Sequence, residues 1–316
     1  MGSSAPRRLP PRGFLGLALV ALAWPANWLL PGLRTHLLFF PLWLGYVLFL
    51  DGWIERRDGS SPCTRARRGF VWLFLISVPL WWLFEAANRL LGNWEYLGRE
   101  RFGEVEYVLL CSLAFSTVAP AVLVSAEWAR GFGWIERLGR GPRLAPGSVR
   151  SRGARALCAG LFAVGLALAA CCLRWPLRCY PLLWVAGVFL LEPLVFARGG
   201  RSLLCHVARG DWRPWIALWT GALVCGFFWE FWNVHSYPKW IYHIPVSSIP
   251  GVNSPKLFEM PLLGYLGYWP FALVVYQWKE LWLAEPELLN GSAGCRPRLA
   301  SQRGSDAQRQ APEIHA

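Results

Sequence analysis

The chain has 316 residues, of which 55% are hydrophobic and only 16% are charged, and it contains 21 Trp. Soluble domains carry about a quarter charged residues, so this composition excludes an ordinary soluble protein. The net charge of +13 does not predict nucleic-acid binding, because basic loops beside apolar runs are expected to meet anionic lipid headgroups.

Apolar runs that approach the roughly 20 residues needed to cross a bilayer recur along the chain. They predict an all-α, polytopic membrane helix bundle with about eight transmembrane helices. The predicted spans are 14–30, 36–51, 70–91, 105–128, 154–173, 180–197, 214–234 and 259–283. The first follows three arginines, as a signal peptide would, but its removal would leave seven spans and break the alternation of basic loops.

Basic residues divide unevenly between the loops on the two sides of these spans. With the N-terminus placed inside, 24 of the 32 Lys and Arg fall in inside segments and 7 in outside loops. Cytoplasmic loops carry the excess of positive charge, so both termini are predicted to be cytoplasmic. Arg outnumbers Lys 29 to 3, which is typical of a GC-rich genome, and we expect a bacterial inner membrane location.

Two parts of the chain share an order of residues, which predicts a tandem duplication. Span 3 contains WLFEAANRLLGNWEY and span 7 contains FFWEFWNVHSYPKWIY, each with Glu-x-x-Asn followed by Trp-x-Tyr. Spans 4 and 8 each contain a Pro eight residues before a Trp, and spans 2 and 6 a Trp eight residues before an acid. We predict two four-helix repeats, residues 1–150 and 151–285, and a disordered cytoplasmic tail, residues 286–316.

The repeated polar residues cluster at the predicted outer ends of spans 3, 4, 7 and 8. Ionisable side chains in a membrane are costly, and they indicate function by default. The candidate catalytic residues are Glu85, Glu106, Glu230 and Glu259, with Glu104 as an alternative to Glu106. The candidate substrate-binding residues are Asn88, Asn233, Trp94, Tyr96, Trp240 and Tyr242. We expect Glu230, Asn233 and Glu259 to face one another, with Trp240 and Tyr242 closing over them.

Structural roles would explain the same residues. Glu259 would complement the dipole at a helix N-terminus, and the two asparagines would cap helix C-termini. The aromatic residues would belong to the belt that marks the membrane interface. Glu85 and Glu230 would make interhelical hydrogen bonds.

Other polar residues give weaker indications. Asp51 and Glu192, near Arg57 and Arg198, are expected to form ion pairs that position a loop at the cytoplasmic face. His235 and His243 lie near the glutamates of the second half, and Glu with His can hold a metal. They have no counterparts in the first half, however, so neither a metal site nor a cofactor is predicted. Pro270 is expected to kink span 8.

The segments WEFWNVHSYPKWIY and KLFEMPLLGYLGYWPFAL resemble stretches of uncharacterised bacterial multi-pass proteins. The order of carboxylate, Trp-x-Tyr and a glutamate at the next span also resembles, more distantly, the membrane-embedded carotenoid (lycopene) cyclase and hydratase families. That resemblance covers spans 3–4 and 7–8 and implies action on an isoprenoid chain. The cyclase pattern has adjacent glutamates after a proline, whereas this chain has Glu259 alone, with the proline after it.

Two functions remain open from the sequence. The first is a membrane enzyme acting on a lipid or isoprenoid substrate, in which Glu230 or Glu259, protonated through burial, donates a proton. The second is a non-enzymatic transporter or structural membrane partner. An enzyme requires a pocket with carboxylates at its base, and a transporter requires a polar path to Asp51 and Glu192. Membrane lipids are the expected partners, and no oligomeric state is predicted.

Overall fold

The computed structural model describes residues 8–142, 152–243 and 255–289, and most of them are helical. Five helical segments are long and apolar enough to cross a membrane, which is consistent with an integral membrane protein. These five are Thr35–Asp58, Arg67–Leu91, Glu104–Arg130, Arg152–Arg174 and Arg213–Asn233. The helical class predicted from the apolar runs is therefore confirmed.

Helices of the first half occupy the first four predicted spans. They are α1 (Pro11–Leu29), α2 (Thr35–Asp58), α3 (Pro62–Arg65), α4 (Arg67–Leu91), α5 (Glu104–Phe115), α6 (Val118–Arg130) and α7 (Gly133–Leu138). A single 3-10 turn, Arg99–Arg101, lies between α4 and α5. The long segment Glu104–Arg130 is divided into α5 and α6 by a break at Ser116 and Thr117.

Helices of the second half lie in the last four predicted spans, with two short helices between them. They are α8 (Arg152–Arg174), α9 (Pro176–Cys179), α10 (Pro181–Ala197), α11 (Leu203–Ala208), α12 (Arg213–Asn233) and α13 (Tyr268–Trp282). A 3-10 helix, Leu262–Gly267, leads directly into α13.

The core lies where α6 and α12 cross. Every residue of α6 except Trp128 is buried. A Cβ added at Gly221 of α12 would lie 2.3 Å from the backbone nitrogen of Ala126, so only glycine permits this close approach. At the periphery, α1 packs on α2 and α8 packs on α10. Leu173 of α8 is 70% exposed, as expected of a side chain that faces lipid.

Two antiparallel ribbons interrupt the helices, and the prediction of an all-α fold did not include them. Strand β1 (Trp94–Leu97) pairs with β2 (Lys239–Tyr242), and β3 (Lys256–Leu257) pairs with β4 (Met260–Pro261). We call the β1–β2 pair the ribbon and its side of the bundle the ribbon end. The ribbon joins a loop of the first half to a loop of the second.

The last predicted span, 259–283, is wrong at its start. Glu259 lies in the turn between β3 and β4, and the α-helix begins only at Tyr268. Glycines at 264 and 267 disfavour an α-helix there. Pro270 was expected to kink the span, but it is the third residue of α13, where a missing N–H removes no helical hydrogen bond. Pro120 is likewise the third residue of α6.

The end of the bundle opposite the ribbon contains Asp51 and Glu192, but their partners differ from those expected. Asp51 accepts from Arg12 at 2.8 Å and from Ser61 at 2.9 Å, and Glu192 accepts from Ser202 at 2.5 Å. Both carboxylates therefore hold the serine that precedes a short helix, α3 or α11. The ion pairs with Arg57 and Arg198 were wrong, because these arginines bind carbonyls of Trp128 and Leu281 instead.

The chain continues beyond α13 along this opposite end. Leu288 and Leu289 are both 1% exposed. The carbonyl of Glu287 accepts from Arg65 at 2.7 Å, and its carboxylate accepts from Arg201 at 2.5 Å. The boundary predicted for the disordered tail, residue 286, thus falls inside a packed segment. The rest of that predicted tail, residues 290–316, lies outside the described residues.

Candidate functional site

The ribbon brings the two Trp-x-Tyr motifs into direct register. Trp94 lies opposite Tyr242, and Tyr96 lies opposite Trp240. Each strand begins a few residues after a long helix ends, so the preceding helix sets its position. Helix α4 ends at Gly92, whose φ of +61° is in the left-handed region that glycine adopts readily.

An asparagine at the end of each long helix holds its strand. Asn88 donates to the carbonyl of Trp94 at 2.7 Å and accepts from the backbone N–H of Asn93 at 2.8 Å. Asn233 donates to the carbonyl of Trp240 at 2.7 Å and accepts from the Trp240 N–H at 3.1 Å. Both side chains thus satisfy backbone groups of the ribbon and act as structural anchors rather than ligands.

The Glu85 carboxylate, one turn before Asn88, binds the first Trp-x-Tyr motif. Its Oε1 accepts from the Tyr96 hydroxyl at 2.6 Å and from the Trp94 indole at 3.2 Å. A third donor, the indole of Trp81, lies 2.8 Å away on the same helix. Three donors on one oxygen leave Glu85 well satisfied without any ligand.

The Glu230 carboxylate occupies the corresponding place in the second half. Its Oε1 accepts from Tyr242 at 2.7 Å and from Tyr268 at 3.0 Å, and the indole of Trp240 donates to Tyr242 at 3.1 Å. Glu230 is 0% exposed. Its Oε2 is buried and has no hydrogen-bond partner among the described residues, unlike an ordinary buried polar atom.

Gly226 makes the difference between the two carboxylate sites. It lies four residues before Glu230, as Trp81 lies four residues before Glu85. A Cβ at Gly226 would come within 2.6 Å of the Tyr268 ring. Glycine therefore leaves the room that Tyr268 occupies, and a phenol from α13 donates to Glu230 where an indole from α4 donates to Glu85.

The other two candidate glutamates share no hydrogen-bond partner with Glu85 or Glu230 among the described residues. Glu259 pairs with Lys239 at 2.5 Å. Glu106 is exposed in the first turn of α5, and its neighbour Glu104 pairs with Arg99 at 2.5 Å. The three residues expected to face one another therefore have separate partners: tyrosines at Glu230, backbone at Asn233 and a lysine at Glu259.

A cavity of about 470 Å³ lies at the ribbon end, between the two halves. Its wall is largely aromatic and includes both Trp-x-Tyr motifs together with Glu230, Lys239 and Arg99. The further aromatic residues of the wall are Phe39, Trp81, Phe102, Tyr107, Phe115, Tyr180, Trp184, Trp229, Tyr268 and Phe271. Of the described residues, neither Glu85 nor Asp51 nor Glu192 lines it. A volume of this size accommodates a small organic ligand or part of a lipid chain.

The tyrosines of the two motifs remain hydrogen-bond donors at ordinary pH. Burial raises the pKa of Tyr96 well above its usual value, and the neighbouring Glu85 adds to the effect. Burial and then Glu230 raise the pKa of Tyr242 in the same way. Because neither phenol ionises near neutral pH, each keeps the proton that it shares with a carboxylate.

Neither histidine considered as a metal ligand meets a cluster of ligands. The His235 ring packs edge-on against Trp28 at 4.9 Å. The Nε2 of His243 lies 2.9 Å from Glu95. Within residues 8–142, 152–243 and 255–289, no three His, Cys, Asp or Glu side chains lie together as a metal site would require.

Three partners of Glu85, Glu259 and Glu230 were not found from the sequence: Trp81, Lys239 and Tyr268. Trp81 carries a usable signal, because residues four apart share a helix face and it precedes Glu85 by one turn. Tyr268 carries none, since its contact with Glu230 depends on the packing of α13 against α12. No family model, curated protein or solved structure matches the chain.

Proposed function

We propose that the chain is an eight-span bacterial inner-membrane protein built from two tandem four-helix repeats, with both termini cytoplasmic. The matched contacts support the duplication. Tyr96 donates to Glu85 as Tyr242 donates to Glu230, and each asparagine holds the carbonyl of the following tryptophan. Antiparallel pairing of equivalent motifs is what a two-fold axis along the membrane normal would produce.

Contacts at the opposite end support the same proposal. Asp51 accepts from a serine ten residues later, and Glu192 does so as well. Each also accepts from a backbone N–H twelve residues later, that of Cys63 or Leu204. Such a repeated arrangement of two carboxylates and two short helices is hard to obtain by chance.

We propose that the cavity binds the apolar chain of a lipid or isoprenoid and that Glu230 transfers a proton to it. One observation carries this proposal: a fully buried carboxyl with an unpartnered oxygen lies in the wall of an aromatic cavity. An ionised carboxylate without a cation is costly in a membrane, roughly several kcal/mol. The proposal therefore places a proton on Glu230.

The proposed reaction is an isomerisation that needs no second substrate. The protonated carboxyl of Glu230 passes its proton to one carbon of a double bond, and the hydroxyls of Tyr242 and Tyr268 stabilise the carboxylate that remains. The electron pair of the double bond forms the new C–H bond, and the other carbon becomes cationic. Aromatic faces such as Trp229 and Phe271 stabilise that cation. A neighbouring carbon then loses a proton to the Glu230 carboxylate, and the electron pair of that C–H bond forms the shifted double bond.

A transporter is the weaker alternative. It would need a polar path from the cavity to Asp51 and Glu192, and neither is among the described residues of the wall. The layer beneath the cavity contains Trp43, which is 0% exposed and packs on Trp229 at 5.0 Å. This aromatic layer favours a closed pocket over a path.

The proposal is tested by Glu230→Gln with Glu85→Gln as its matched control. Both variants in nanodiscs are incubated with an isoprenoid-containing bacterial lipid extract, and the lipids are compared by mass spectrometry before and after. We expect the wild type and the Glu85 variant to change the isomer distribution of an isoprenoid and the Glu230 variant to leave it unchanged. Turnover by Glu230→Gln equal to that of the wild type would refute the assigned role.

Binding is tested separately by filling the cavity. Ala114→Trp places an indole in the wall, whereas Leu113→Trp places one on the neighbouring residue of α5, which is 44% exposed and outside the wall. We expect lipid retained through purification to be lost only in the Ala114 variant. Equal retention by both variants would refute binding in this cavity.

A further inference from the structure

The described part of the cavity wall carries two cations, Lys239 and Arg99, and each is already paired with a carboxylate. Lys239 pairs with Glu259 at 2.5 Å and also reaches the carbonyl of Val234 at 3.4 Å. Arg99 pairs with Glu104 at 2.5 Å. Neither Glu259 nor Glu104 is among the described residues that line the cavity, so each carboxylate is expected to influence a ligand mainly through the cation that it holds.

The position of Arg99 is restrained further. Its guanidinium lies 3.9 Å from the centre of the Tyr107 ring and donates to the carbonyl of Phe102 at 3.1 Å. Phosphate recognition usually relies on arginine and lysine groups that are free to pair with the phosphate oxygens. Both cations of this wall instead already bind a carboxylate and a backbone carbonyl of the protein.

The polar atoms of the wall that are buried without a partner, among the described residues, are of another kind. They are the Glu230 Oε2, the Asn93 Oδ1 and the His36 Nδ1. The amide oxygen of Asn93 is an acceptor, and the carboxyl oxygen accepts when ionised and donates when protonated. A lipid hydroxyl, which both donates and accepts, can pair with any atom of this set, whereas a phosphate only accepts and adds negative charge beside Glu230.

We propose that the cavity selects an uncharged lipid alcohol over the corresponding phosphate, and that Glu259 and Glu104 are the positioning residues that set this selectivity. The inference rests on the proposed lipid-binding function and narrows its ligand class. The inference also explains why a glutamate stands at position 259. Glu259 cancels the charge of Lys239 at the wall, so that an anionic headgroup finds no electrostatic attraction there.

The experiment compares two probes that share one chain, geranylgeraniol and geranylgeranyl diphosphate. Their dissociation constants are measured by equilibrium binding to the full-length protein in nanodiscs made of zwitterionic lipid. We expect the wild type to bind the alcohol at least about tenfold more tightly than the diphosphate. In the double variant Glu104→Gln/Glu259→Gln, both cations are released, and we expect diphosphate affinity to rise by about tenfold while alcohol affinity stays unchanged.

Two further variants separate selectivity from folding. Glu259→Asp keeps the charge and should keep the wild-type ratio of the two affinities. Glu100→Gln removes an exposed carboxylate from the same loop, outside the wall, and should also leave the ratio unchanged. A purely structural role of Glu259 would lower both affinities together and would not change their ratio.

The outcomes distinguish the inference from the function on which it rests. Equal affinities of the wild type for alcohol and diphosphate, or an unchanged ratio in the double variant, would overturn the inference and leave lipid binding in place. Failure of both probes to bind the wild type would overturn the proposed function and the inference with it.

Discussion

Tyr96 lies directly opposite Trp240 across the ribbon, although the two residues come from different halves of the chain. The tyrosine reaches down to Glu85, and the tryptophan donates to the tyrosine that reaches Glu230. The ribbon thus couples the positions of the two buried carboxylates. A change in either strand is expected to affect both halves.

The asparagine anchors should contribute measurably to stability. Asn233→Ala leaves an N–H and a carbonyl of Trp240 without their side-chain partner, and an unsatisfied buried group costs about 1–3 kcal/mol. Asn88→Ala should cost less, because Asn88 is only partly buried whereas Asn233 is 1% exposed. Unfolding titrations in detergent would measure both, with the exposed Arg89→Ala as control. If the asparagine variants lose no more free energy of unfolding than Arg89→Ala does, the anchor role is contradicted.

Stability should fall at alkaline pH because of the ribbon tyrosines. Their pKa values are raised in the folded state, so the unfolded chain ionises first, near pH 10. The stability that the two tyrosines contribute to the folded state is complete below that pH and is lost as pH rises above it. The double variant Tyr96→Phe/Tyr242→Phe should be less stable than the wild type at neutral pH. Its free energy of unfolding should fall less steeply as pH rises. Parallel curves for variant and wild type in unfolding titrations would exclude this assignment.

The pair of Arg12 and Asp51 should be sensitive to loss of one partner. Asp51 is 0% exposed and Arg12 is 23% exposed. Arg12→Gln leaves a buried carboxylate, at a cost of about 2 kcal/mol, less than for a fully buried pair. Adding Asp51→Asn removes the unpaired charge and should restore part of the loss. Arg8→Gln, at an exposed position, is the control, and a double variant less stable than Arg12→Gln would contradict the argument.

Three glycine substitutions should rank by the contacts of the added methyl group. At Gly221 it would meet the backbone of Ala126 at 2.3 Å, and at Gly226 the ring of Tyr268 at 2.6 Å. At Gly160 it would meet nothing within 4 Å. We expect Gly221→Ala to lower the unfolding midpoint most, Gly226→Ala less because a ring can shift, and Gly160→Ala to raise it, since alanine favours helices by about 1 kcal/mol. Any other order would refute this account.

The proposed topology can be checked with reporter fusions. A periplasmic reporter fused at Gly98 should be active, and a cytoplasmic reporter fused at Gly141 should be active, because 24 of the 32 basic residues fall on the side assigned to the cytoplasm. The reverse pattern at either site would overturn the orientation.

Much of the candidate site was indicated by the sequence. The repeated Glu-x-x-Asn and Trp-x-Tyr motifs identified Glu85, Asn88, Glu230 and Asn233, all of which contact the ribbon. Glu259 was misplaced, because an apolar run with scattered glycines and prolines has the same hydropathy whether it is an α-helix or a hairpin followed by a 3-10 turn. Hydropathy measures transfer into lipid and does not report backbone conformation.

The sequence by itself determined the apolar helices, their order along the chain and the division of charge between loops, because these follow from the composition of each local segment. The tertiary structure alone decided that Trp94 meets Tyr242, that Tyr268 occupies the space left by Gly226, and that Glu259 pairs with Lys239. Such contacts depend on how the helices pack, since residues distant in the chain become neighbours only when the bundle closes.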